Sequence, residues 1–108
     1  MRLWVDDERP APDDSWTVAK TSDDAIQELY MLGTPAVIAM GDTFEEISLD
    51  HDLGGDDTGM EVLDWMINWG YWPKVVTIHT ANRPARDRML AATNAEAPES
   101  VDIFVLYR

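Results

Sequence analysis

Short apolar runs recur along this chain, and most are followed by a helical pattern. That alternation restricts the fold more than any other feature. Arg2–Val5 (RLWV), Trp16–Ala19 (WTVA), Glu45–Leu49, Val75–Ile78 (VVTI) and Val101–Tyr107 (VDIFVLY) have the length and side-chain content of strands. Thr21 or Ser22 is expected to cap a helix with Asp23 and Asp24 in its first turn. Ala25, Ile26, Leu29, Tyr30 and Leu32 give it an apolar face, and Gly33 ends it. Asp57 or Thr58 caps a second helix carrying Met60, Val62, Leu63, Met66 and Ile67, with Trp65 and Trp69 one turn apart. Pro84 opens a third, short helix through Met89 and Leu90. The stretch ERPAPDD after the first strand cannot be helical, because two prolines fall within three residues. Residues 36–40 (AVIAM), before a Gly41-Asp42 turn signal, read as an extra edge element or a hairpin arm. Strands alternating with helices predict a parallel sheet covered by helices, with ligands beyond the carboxyl ends of the strands.

The 108 residues suit one compact domain spanning 1–108, and 45% hydrophobic residues suffice for a core. Without cysteine there are no disulfides or thiolate metal sites, which agrees with a reducing cytoplasm. No run approaches the ~20 apolar residues that span a bilayer. Acids at positions 6 and 7 do not suit a signal peptide. A cytoplasmic protein without a membrane partner is expected. The net charge of −13 argues against bulk duplex nucleic acid, which is held through Lys and Arg. A small phosphorylated ligand or a nucleic-acid end remains compatible if a cation bridges the like charges.

The unusual residues fall at the expected strand ends: Asp6 and Asp7 after the first strand, Asp50, His51 and Asp52 after the central one, and His79, Thr80 and Asn82 after the next. Two carboxylates 4 Å apart repel by roughly 4 kcal/mol at an effective dielectric of about 20. Either one is protonated, or a cation is bound, or one member of each pair merely caps a turn. Oxygen ligands favour Mg²⁺ or Mn²⁺; imidazole with carboxylate could instead take Zn²⁺. His51 and His79 could face one pocket as general base and acid, or each could simply stabilise its own loop. Thr80 and Asn82 could donate to a phosphoryl oxygen. Gly54 and Gly55 would open backbone N–H groups to an anion, or form an ordinary loop. Arg83, Arg86 and Arg88 could meet the outer charge of an anion, or be solvated helix residues.

The order of these features resembles the response-regulator receiver domain: an acidic pair after the first strand, Leu49-Asp50-x-x-Leu53, Thr58-Gly59-x-x-x-Leu63 and Thr80-Ala81. WVDDERPAP, ISLDHDLG and IHTAN are more closely similar to the cyclic-phosphate-processing receiver domains. The resemblance implies a three-layer α/β fold with a five-stranded parallel sheet in order 2-1-3-4-5, its first helix reduced or absent. It implies Asp50 as phosphoacceptor, Asp6 and Asp7 as Mg²⁺-binding acids and Thr80 as a phosphoryl contact; Asp6, Asp7, Asp50 and Asp52 together are the expected metal ligands. In the closer family, His51 and His79 would process cyclic phosphates on nucleotides or RNA ends. The lysine that receivers carry after the fifth strand is absent, with Arg108 an uncertain substitute. Two functions are thus expected of the site. One is a metal-assisted phosphoesterase with Asp50, His51 and His79 catalytic. The other is a stand-alone regulatory module, phosphorylated at Asp50 or inert, that works through a protein partner.

Overall fold

The computed structural model describes residues 1–32 and 44–106. Five four-residue strands, β1 (Arg2–Val5), β2 (Trp16–Ala19), β3 (Glu46–Leu49), β4 (Val75–Ile78) and β5 (Asp102–Val105), form one sheet in the order β2-β1-β3-β4-β5. Every pairing is parallel. Among the described residues three helices connect them: α1 (Ser22–Leu32), α2 (Gly59–Trp69) and α3 (Arg83–Glu96). No helix is long and apolar enough to cross a membrane among the described residues. The parallel α/β fold and its strand order are as the sequence suggested, and no helix forms between β1 and β2, where Pro10 and Pro12 forbid one.

Strand periodicity assigns the two faces. Leu3, Val5, Ile47, Leu49, Val76 and Ile78 project to one side and meet Ala25 and Leu29 of α1, Val62, Leu63 and Met66 of α2, and Met89 of α3 in one buried cluster. Complete burial of each such aliphatic side chain is worth about 1.5–3 kcal/mol. On the other side, register aligns Val18, Trp4, Ser48, Thr77 and Phe104 across the sheet. All three helices lie on the first side, so the expected third layer is not found as a helix among the described residues. On the second face an aromatic stack at the sheet centre, Trp4 on His79 with ring centroids 3.9 Å apart, excludes water. Val18 and Phe104, towards the edges of that face, remain exposed.

Helix ends follow their side chains. The Thr21 hydroxyl accepts from Asp24 N at 3.1 Å, and the Asn82 side chain accepts from Ala85 N at 3.2 Å. Thr58 occupies the N-cap position of α2 without a capping bond from its side chain. Asp57 instead reaches across to α1, accepting from Ser22 N at 2.8 Å and from the Ser22 hydroxyl. The third helix runs six residues beyond Leu90, because Ala91, Ala92 and Ala95 favour helix without adding a strong apolar stripe. The last strand is shorter than Val101–Tyr107. Trp69 is largely solvent-exposed, and its ring stacks on Trp65 with centroids 5.9 Å apart. AVIAM, the Gly33 stop, Tyr107 and Arg108 lie outside the described residues.

Candidate functional site

The carboxyl ends of β1, β3 and β4 are adjacent, so the residues that follow them share one rim. Asp6 N donates to Ala19 O, Asp50 N to Val5 O and His79 N to Leu49 O, which continues the ladder one residue past each strand. Asp6, Asp7 and Asp50 thereby each present a carboxylate oxygen within 4.8 Å of the others. At that separation two unit charges repel by about 3.5 kcal/mol at an effective dielectric near 20. The trio opens onto a cavity of about 410 Å³ whose wall also includes Arg9, Asp52, Gly54 and Thr80.

The chain is matched over residues 1–95 by the family model for the cyclic-phosphate processing receiver domain. It belongs to that family. No curated protein and no solved structure matches it. Membership ties this receiver domain to cyclic-phosphate processing; the chemistry of its rim has to be argued from the residues themselves.

Asp6 is the most constrained acid. Its Oδ1 accepts from Glu8 N and Arg9 N, both at 2.9 Å, and its Oδ2 accepts from His79 Nε2 at 3.0 Å. His79 is fully buried, stacked on Trp4, with Nδ1 2.7 Å from the Ser48 hydroxyl. With Asp6 ionised, Nε2 must carry the proton of this contact whether the ring is neutral or charged. Ser48, His79 and Asp6 form a buried polar line that fixes the Asp6 carboxylate of the trio.

Asp50 is half-buried. Burial pushes its carboxyl above the usual carboxylate range and the Asp6 charge adds to the shift, against hydrogen bonds from the Thr80 hydroxyl and His51 N. A carboxyl whose native pKa exceeds its unfolded value of about 3.9 binds protons better when folded. Its contribution to stability therefore grows as pH falls through the native value, and is complete below the unfolded one. In chelator, Asp50→Asn is expected to raise the melting temperature at pH 7 and to flatten this part of the pH profile. An unchanged or lower melting temperature across pH 4–7 would refute the assignment.

The two histidines do not share a pocket, and neither lines the cavity. Adjacent positions past a strand point to opposite faces, and the second face takes His79 inward onto Trp4. His51 sits on the rim, its Nδ1 2.9 Å from Asp52, and its carbonyl accepts from Gly59 N at 2.7 Å. Asp52 lines the cavity, but it stands outside the converging trio and is engaged by His51. Thr80 is in place beside Asp50, whereas Asn82 turns away to cap α3. Arg83, Arg86 and Arg88 do not line the cavity; Arg86 lies 3.8 Å from Asp87.

The oxygen-only trio fits Mg²⁺ or Mn²⁺, and no imidazole joins it as a Zn²⁺ site would favour. Gly54 borders the trio at φ +91°, where a Cβ would stand 3.2 Å from Asp7 Oδ2. Sequence reasoning missed Arg9. It stands in the acidic, Pro-rich stretch that replaces a helix, yet its Nη1 donates to His79 O at 3.1 Å, seventy positions away in the chain.

Proposed function

We propose that this receiver domain is a metal-assisted phosphoesterase acting on cyclic or terminal phosphates of nucleotides or RNA ends, with Asp6, Asp7 and Asp50 holding Mg²⁺ or Mn²⁺. The observation that carries this reading is the convergence of three carboxylates, with the Thr80 hydroxyl on Asp50, in an open cavity of a chain from a cyclic-phosphate family. When bound, a divalent ion supplies charge neutralisation and polarises a phosphoryl oxygen. Asp6, locked by three donors, gives one immobile ligand oxygen. Asp7 and Asp50 have freer carboxylates that can adjust to six-coordination. Thr80 can turn its hydroxyl from Asp50 to a phosphoryl oxygen. Asp52 holds Nδ1 of His51, which leaves Nε2 as the atom that would exchange a proton with substrate or water. His79 acts through Asp6 and not on the substrate.

Wild-type protein is expected to hydrolyse a 2′,3′-cyclic nucleotide only with Mg²⁺ or Mn²⁺, and metal is expected to raise its melting temperature. Asp50→Asn should abolish both effects. Metal-independent turnover equal to the metal-loaded rate, or no metal-dependent shift, would sink the proposal.

A second reading is favoured by the absence of both imidazoles from the cavity wall: a non-catalytic regulatory module that takes a phosphoryl group on Asp50. It requires a phosphorylated product after incubation with acetyl phosphate and Mg²⁺, lost in Asp50→Asn, together with no cyclic-nucleotide turnover. Intact-mass measurement separates the two.

A further inference from the structure

Acids dominate the wall of the site cavity: Asp6, Asp7, Glu8, Asp50 and Asp52. Among its described lining residues the only cation is Arg9. A guanidinium in such surroundings would be expected to fork onto a carboxylate. It does not: among the described residues no carboxylate lies within ion-pair distance of it. Among the described residues its side chain makes one hydrogen bond to protein, Nη1 to the His79 carbonyl at 3.1 Å, and its charge acts on Asp50, working against the upward shift of that carboxyl. The residue is nevertheless anchored firmly. Arg9 N donates to Asp6 Oδ1, and Arg9 O accepts from Trp4 Nε1 at 2.9 Å. The main chain of the β1–β2 connection is thus pinned at both ends of this residue, and the side chain spans to the end of β4, beside Thr80. Guanidinium has five N–H donors in a planar fork. With a single one committed to the carbonyl, the rest remain to be matched by something that enters the cavity.

We propose that Arg9 is the anion anchor of this site: its guanidinium receives the oxygens of a phosphate group held between the carboxylate trio and Thr80. This rests on reading the cavity as a phosphate site and adds the residue that binds the ligand's own charge. A divalent ion on Asp6, Asp7 and Asp50 would offset two of the three carboxylate charges, and Thr80 offers a single hydroxyl, so further phosphoryl oxygens would still need donors. Arg9 supplies those donors from the same cavity wall, with its main chain held by Trp4 and Asp6 and its side chain by the His79 carbonyl. A planar fork also prefers two oxygens on one phosphorus, the arrangement found in both a cyclic and a terminal phosphate.

The test is titration calorimetry of the full chain with inorganic phosphate, with and without saturating Mg²⁺, and with Mg²⁺ alone. Arg9→Gln is expected to lose at least about tenfold in phosphate affinity, the size of one charge-assisted contact, while binding Mg²⁺ as tightly as wild type or more tightly. Arg9→Lys should recover part of the phosphate affinity, since it keeps the charge without the fork. Urea midpoints measured alongside report the structural share of the His79 contact, which would move stability without changing the ratio of the two affinities. Phosphate binding by Arg9→Gln within about twofold of wild type overturns the assignment of Arg9 and leaves the cavity reading intact. A wild type that binds Mg²⁺ but no phosphate under either condition overturns both.

Discussion

Gly59→Ala is expected to cost about 3 kcal/mol or more, a large fraction of the roughly 5–15 kcal/mol that holds a domain folded. A Cβ at this position would lie 1.8 Å from the Asp50 carbonyl oxygen and 3.0 Å from its carbon. Both are main-chain atoms, so no flexible side-chain end can yield. Relief would require the first turn of α2 to move away from the end of β3. Gly59 N would then lose its 2.7 Å bond to His51 O. Urea denaturation followed by far-UV circular dichroism gives the measurement. A midpoint within experimental error of wild type would show that helix and strand end can separate freely.

His79→Ala should cost about 3–5 kcal/mol, the range for emptying a buried aromatic site and orphaning its polar neighbours. The substitution removes the stack on Trp4, one of the donors to the Asp6 carboxylate and the partner of the Ser48 hydroxyl. His51→Ala should cost less than His79→Ala, because its ring is not fully buried and pairs with a well-exposed Asp52 carboxylate. The two histidines therefore separate by readout. Loss of cyclic-nucleotide turnover in His51→Ala is expected with the smaller drop in urea midpoint; loss in His79→Ala is expected with the larger one. A stable His79→Ala protein would mean that the buried polar line contributes little to the fold.

The contrast shows what the sequence could and could not disclose. The five strands are legible because each is a short, mostly apolar run set between polar or proline-containing stretches. The gathering of Asp6, Asp7 and Asp50 follows once β1 and β3 are neighbours, since parallel strands bring their carboxyl ends to one edge. The fate of His79 was harder to read. Its parity matches Thr77 and places it on the second face, but whether that face is open or closed there depends on Trp4, a residue of another strand. Arg9 was invisible for a related reason. Nothing local distinguishes it from a solvated loop arginine, and its place is set by a carbonyl at the end of β4. The length of α3 was missed because alanines carry helix propensity without hydrophobic periodicity.

Strand β1, which lies between β2 and the central β3, is the first of the five strands in chain order, and β3 comes some forty residues later. Asp6 and Asp50 have nothing to hold them together until that long loop closes. A nascent or partly unfolded chain therefore displays only dispersed, well-hydrated acids with feeble affinity for ions. On the proposed reading of the trio as a metal site, a divalent ion would be captured only after β1 and β3 have paired, so the same step of folding that joins these strands would also arm the protein.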